Sequence, residues 1–150
     1  MQAAIDTETA HLLRVAVGRL SRLLRPTEAA RAAGLSPTRT AVLLNVARNT
    51  PVRLADVAAH EGLHPTLLSR SVASLAADGL LARRADADDR RSAWLELTPA
   101  GSALTARIRA QRTAAVAAAL DALDPADRDA IVGVLPALDR LAAALAREDT

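Results

Sequence analysis

The chain has 150 residues, 51% of them apolar and 24% charged, a balance that fits one folded domain with its own core and excludes a disordered or collagen-like chain. It contains no cysteine, tyrosine or phenylalanine and a single tryptophan, which excludes a disulfide framework, a thiol switch and a cysteine-bearing zinc site. The net charge is only +2 although the isoelectric point is near 10.7, because every basic side chain is arginine and almost nothing titrates between neutrality and the arginine range. The charge is unevenly placed: residues 1–112 carry sixteen arginines against ten acids, and residues 113–150 carry three against seven. Such a division suits a body that meets phosphates and a tail that faces away from them. No apolar run is long enough to span a membrane, and the start, with Asp6 and Glu8, lacks the basic and apolar regions of a secretion signal. The expectation is a cytoplasmic protein without a membrane partner.

In chain order, Thr7 to Leu24 reads as a long helix with Leu13, Val17, Leu20 and Leu24 on one stripe, stopped by Pro26. Thr27 to Leu35 is a connector with a helical turn around Ala29 to Ala32. Ser36-Pro37 opens the next helix as a cap followed by proline, and Ala41, Leu44, Val46 and Ala47 carry it to Arg48. Asn49-Thr50-Pro51 ends it, and Val52-Arg53 is short enough to be a third strand pairing with a later hairpin. Leu54 to His60 is a short helix with Leu54, Val57 and Ala58 on one face. Gly62 then supplies the left-handed residue that ends a helix, and Pro65 occupies the first position of a new one. That helix, to Asp78, buries Leu68, Val72, Leu75 and Ala76 and leaves Thr66, Ser69, Arg70, Ala73 and Ser74 elsewhere. Gly79 closes it. Leu80 to Arg84 and Ser92 to Leu97 read as two strands joined by the charged tip Ala85 to Arg91. Thr98-Pro99 opens a helix to about Leu123, and Asp124-Pro125 opens the last one, with acids in its first turn. Pro136 lies inside that last helix and predicts a kink there, or a break into two helices.

Two helices joined by a glycine-bearing turn, with a hairpin directly behind them, make a winged helix-turn-helix. The fold class is therefore mainly α, with a small β-hairpin wing on a helix-turn-helix lobe over residues 36–98. Residues 1–35 and 99–150 supply flanking dimerisation helices, since a two-fold operator is read by a two-fold protein.

Double-stranded DNA is the expected partner. Pro65, Thr66, Ser69 and Arg70 belong to the face offered to the major groove, where Arg70 is suited to guanine and Leu67 to a thymine methyl. Ser74 extends that row. His64, at the cap position before Pro65, is a candidate phosphate contact, as are Arg83, Arg84, Arg90 and Arg91 around the hairpin. A protein-binding winged helix without DNA binding is the alternative, but it has no need of four arginines on one hairpin.

Three segments carry a family resemblance: Asp78-Gly79-Leu80-Leu81, then Asp86-Ala87-Asp88-Asp89-Arg90-Arg91, then Leu95-Glu96-Leu97-Thr98-Pro99-Ala100-Gly101. Together they resemble the winged-helix signature of MarR-type transcriptional regulators: a glycine ending the recognition helix, an Asp-x-Arg in the wing and a Leu-Thr-x-x-Gly entering the next long helix. The resemblance implies a homodimer that binds a palindromic operator as a ligand-responsive repressor, or as an activator, with its affinity set by a small organic ligand. It also implies that Arg91 enters the minor groove with Asp89 holding it, a role that a planar, permanently charged guanidinium is suited to. Trp94 has two candidate places: the outer surface of the wing, or a ligand crevice of the kind such regulators use, together with His11.

No cofactor, metal or catalytic group is expected. His11, His60 and His64 do not share a helical face, and the run Asp86, Asp88, Asp89 lacks the sixth-position glycine and terminal glutamate of a calcium loop. Nor is there a nucleophile motif or a glycine-rich phosphate loop. Lacking any thiol, the protein is predicted to keep its DNA affinity under mild peroxide, with Met1 verified intact by mass spectrometry; loss of binding under those conditions contradicts a small-molecule signal.

Overall fold

The computed structural model describes residues 6–86 and 92–148. It is mostly helical, with one small antiparallel sheet, and the expected elements are present within a residue or two of their predicted ends. Helix α1 spans Thr7–Leu24 and is capped by the Asp6 carboxylate. The connector contains a short α2, Glu28–Ala32, whose Ala30 N–H donates to Thr27 Oγ1 at 3.2 Å. Helix α3, Pro37–Asn49, begins as expected, with Ser36 Oγ accepting from Arg39 N at 3.3 Å and proline at the first position. Then follow β1 (Val52–Arg53), α4 (Leu54–Glu61), α5 (Pro65–Ala77), β2 (Leu81–Ala85), β3 (Ala93–Leu97), α6 (Pro99–Asp121) and α7 (Pro125–Glu148). By contacts the chain divides into two compact units, residues 1–112 and 113–150.

In the first unit the sheet order is β1-β3-β2, both pairings antiparallel, with Val52 opposite Leu95 and Arg53 opposite Trp94. The short third strand is therefore formed. Strand alternation buries Ala93 and Leu95 of β3 and leaves Trp94 and Glu96 half-exposed. Leu68, Val72 and Leu75 of α5 close on that inner face together with Val57 of α4 and Ile108 of α6.

Helix α3 departs from the expected stripe. Its buried residues are Thr40, Val42, Leu43, Leu44, Asn45 and Val46, whereas Ala41 and Ala47 are only half-buried. The cause is its position, since α4, α5 and β3 all pack on it and bury more than one face. Buried Asn45 is satisfied by donating to Glu61 Oε1 at 2.7 Å, which ties α3 to the end of α4. Arg39 ties α3 to the end of α5 by pairing with Asp78 and donating to Gly34 O at 3.2 Å.

The expected strand start at Leu80 moves to Leu81, because both backbone groups of Leu80 are already engaged. Its N–H donates to Leu75 O at 2.9 Å, closing α5, and its carbonyl accepts from Thr98 N at 3.2 Å. Thr98 adds two bonds: its hydroxyl donates to Gly79 O at 2.6 Å and accepts from Gly101 N at 3.0 Å. Here α6 lies so close to the turn that a Cβ on Gly101 would stand 2.0 Å from Leu80 O.

In the second unit Asp124 Oδ1 accepts from Asp127 N at 3.0 Å, capping α7 as expected. Pro136 does not break that helix, which is continuous from Pro125 to Glu148. None of the described residues forms a helix long and apolar enough to cross a membrane.

Two glycine substitutions should move stability in opposite directions. Gly101→Ala forces a methyl into the Leu80 carbonyl, which Thr98 N holds in place, and should cost about 2–3 kcal/mol in urea unfolding. Gly133→Ala, in α7 with nothing near the added carbon, should gain up to about 1 kcal/mol from helix propensity alone.

Candidate functional site

Helix α4 ends at Gly62, whose φ of 60° is the left-handed conformation that favours glycine. Leu63 N donates back to Ala58 O at 3.1 Å, and the chain turns at once into α5. His64 is the cap of α5. Its Nδ1 accepts from Thr66 N at 3.3 Å, which makes that nitrogen the unprotonated one and leaves only Nε2 for an outside contact. The usual capping residues are Ser, Thr, Asp and Asn, and the imidazole expected at this cap position takes the same role.

With Leu68, Val72 and Leu75 buried, α5 presents Pro65, Thr66, Leu67, Ser69 and Arg70 on its exposed side, and Ser74 is half-buried. Ser71 turns inward and donates to Leu67 O at 2.9 Å. Arg83 and Arg84 are exposed on β2, where Arg84 lies 3.3 Å from Glu96 across the sheet. Among the described residues neither Arg70 nor Arg83 is in an ion pair. One continuous turn and helix thus offers small hydroxyls, one methyl-bearing side chain and a free guanidinium to solvent. The wing-tip candidates Asp89, Arg90 and Arg91 lie outside the described residues.

Trp94 takes the outer surface of the sheet. Its Nε1 donates to Asp86 Oδ2 at 3.1 Å, the same oxygen lies 3.3 Å from Arg53 Nη2, and the Arg53 guanidinium carbon stands 4.9 Å from the centre of the indole. His11 is on the exposed surface of α1, where Arg14 Nη2 donates to its Nδ1 at 3.3 Å. The two proposed ligand residues are therefore engaged in separate local contacts, and neither lines the cavity that the first unit contains.

That cavity, of about 650 Å³, opens among the end of α1, α2, α3, the turn after α4, and Arg112 of α6. Its floor includes Leu35, Leu44 and Leu63, and its charged lining is Arg25, Arg31, Arg48 and Arg112 against Glu61 alone. Glu61 is shared, accepting from Asn45 and standing 3.8 Å from Arg48 Nη2. Arg112 donates through Nη2 to Arg25 O at 3.3 Å, while its Nε is buried with no hydrogen-bond partner. Burial lowers the pKa of this guanidinium, and the positive charges of Arg25 and Arg48 push it the same way. A cavity of this size with excess positive charge and an apolar floor suits a small organic anion. No sequence pattern marked it, because its arginines come from four elements, the cap of α1 (Arg25), α2 (Arg31), α3 (Arg48) and α6 (Arg112). Among the described residues no cluster of His, Cys, Asp or Glu is arranged to hold a metal ion.

Residues 33–92 match the family model for the MarR family. No curated protein matches the sequence significantly. Solved structures do: a Pseudomonas aeruginosa protein described as a transcriptional regulator is 26% identical, with 91% of this chain and 94% of that chain covered and a TM-score of 0.75. Bordetella bronchiseptica BpsR, whose DNA binding is regulated by 6-hydroxynicotinic acid, is 26% identical over 88% of this chain and 98% of its own, with a TM-score of 0.60. NadR in complex with 4-hydroxyphenylacetate is 21% identical over 95% and 96%, with a TM-score of 0.66. The chain is thus similar to the MarR family over residues 33–92, and its fold is the winged-helix fold of the solved MarR family regulators it matches.

Proposed function

We propose that the chain is a homodimeric, sequence-specific DNA-binding repressor of the cytoplasm whose hold on a palindromic operator is released by a small organic anion. The observation that carries DNA binding is the exposed side of α5, where Pro65, Thr66, Leu67, Ser69 and Arg70 lie opposite a fully buried apolar stripe. Hydroxyls and a guanidinium in the first two turns of the second helix of a helix-turn-helix are placed to read base edges. Arg83 and Arg84, with Arg90 and Arg91 of the tip, supply phosphate attraction. Residues 36–98 form the DNA-binding lobe in this proposal.

Dimerisation is supported within each unit separately. Helix α1 has no buried residue and exposes Leu12, Leu13, Val15, Val17, Leu20 and Leu23, the last at 69%. Helix α7 exposes Ile131, Val132, Val134, Leu135, Leu141 and Leu145. Isolated helices with so much bare apolar surface are not stable in water, and a second copy supplies the missing cover. Residues 1–35 and 99–150 are therefore assigned to the dimer. The two α5 helices then meet successive major grooves about 34 Å apart.

The ligand is assigned to the cationic cavity. Two neighbours of the same fold are described with 4-hydroxyphenylacetate and 6-hydroxynicotinic acid, both carboxylic acids. The four arginines of the lining fit a carboxylate in this chain.

A gel shift with DNA from the chain's own regulatory region is the direct test, and Arg70→Ala sharpens it. Loss of a guanine contact should weaken operator binding by about ten- to a hundredfold and leave random DNA nearly unchanged; equal losses on both would reassign Arg70 to a phosphate. The cavity has its own check. A lowered pKa on a cation means that the folded state disfavours the charged form, and a guanidinium remains charged at neutral pH. Arg112→Met should abolish the rise in thermal midpoint given by 4-hydroxyphenylacetate or a similar carboxylate.

A further inference from the structure

The residue that opens α4 is Arg53, and its side chain makes no capping bond to that helix. It turns to the sheet instead, where Arg53 of β1 and Trp94 of β3 are directly opposed. There the guanidinium stands over the indole with its carbon 4.9 Å from the ring centre, while Nη2 pairs with Asp86 Oδ2 at 3.3 Å. The same carboxylate oxygen accepts from Trp94 Nε1 at 3.1 Å. Asp86 is almost fully buried, with 6% of its side chain exposed, whereas Arg53 remains 49% exposed. A buried acid and an indole thus hold an arginine whose outward N–H groups are left to solvent.

We propose that Arg53 is a phosphate-binding residue of the DNA interface, with Asp86 and Trp94 positioning it; this rests on the DNA-binding reading given above. Three physical points lead there. Arg53 begins the first helix of the helix-turn-helix, the helix that crosses the nucleic-acid backbone in this motif. It is also the place where that helix and the wing sheet are joined, so its guanidinium lies between the two elements that approach DNA. Finally, a guanidinium has five donors and a flat face. Nη2 pairs with Asp86, the face rests on Trp94, and among the described residues no other ion pair engages Arg53. A flexible arginine loses rotamer entropy on being ordered, and here Asp86 and Trp94 have already ordered it. Lysine would keep the charge but lose both the planar stacking and the fork.

Binding of operator and random duplex as a function of salt tests this on the intact dimer. Arg53→Gln should weaken both DNAs alike, by about tenfold at fixed salt, and lower the slope of log K against log salt by about one, as expected for a lost phosphate contact. Arg53→Lys should keep the slope and lose about threefold in affinity. Asp86→Asn removes a negative charge facing a polyanion, so plain attraction would tighten binding; positioning requires it to weaken, again at unchanged slope. Circular dichroism and dimer size should match wild type in Arg53→Lys, which keeps the test open if another variant folds poorly. Unchanged affinity and slope in Arg53→Gln, or tighter binding in Asp86→Asn, overturns the assignment. A wild-type dimer that binds neither duplex instead overturns DNA binding itself.

Discussion

The helix-turn-helix and its wing are held together by how closely α6 approaches the turn after α5. Thr98 and Leu80 close that junction with three hydrogen bonds, and Gly101 lets the two backbones meet where no side chain fits. Because Leu80 also ends α5 and precedes β2, one small polar cluster sets the end of the recognition helix, the start of the wing and the entry of the long helix. Buried backbone groups must find partners, and at this crossing each element supplies those of its neighbour.

Much of this was legible in the sequence. Helix starts were marked by Ser36, Pro65 and Asp124, which act through short-range features that the local residues alone decide. The apolar side of α5 was equally clear, since only one of its faces is covered. Helix α3 was misjudged for the converse reason: α4, α5 and β3 cover it on several sides, so periodicity could not select Val42 and Leu43 over Ala41 and Ala47. The Leu-Thr-x-x-Gly motif was recognised as a pattern, but the reason for its glycine appeared only with the carbonyl of Leu80 beside it.

The candidate surfaces divide along the same line. Residues exposed together because they are neighbours on one helix, such as Thr66, Ser69 and Arg70, could be found from spacing. Arg25, Arg48 and Arg112 share a cavity only because three separate helices converge on it. The cost of gathering them is visible in the buried Nε of Arg112, which has no partner. Gathering like charges around a partly buried guanidinium is electrostatically unfavourable, and an anion placed among them would relieve it.

Trp94 gives the structure one more property. The chain has one tryptophan and neither tyrosine nor phenylalanine, so its near-ultraviolet absorption and its emission come from a single indole. That indole is hydrogen-bonded to a carboxylate and lies beneath a guanidinium where β1 meets the wing. Both neighbours are charged, and the energy of an excited indole depends on charges near its ring. Any event that shifts the wing against α4 is therefore recorded in the colour and intensity of one chromophore, with no label added and no other residue contributing light.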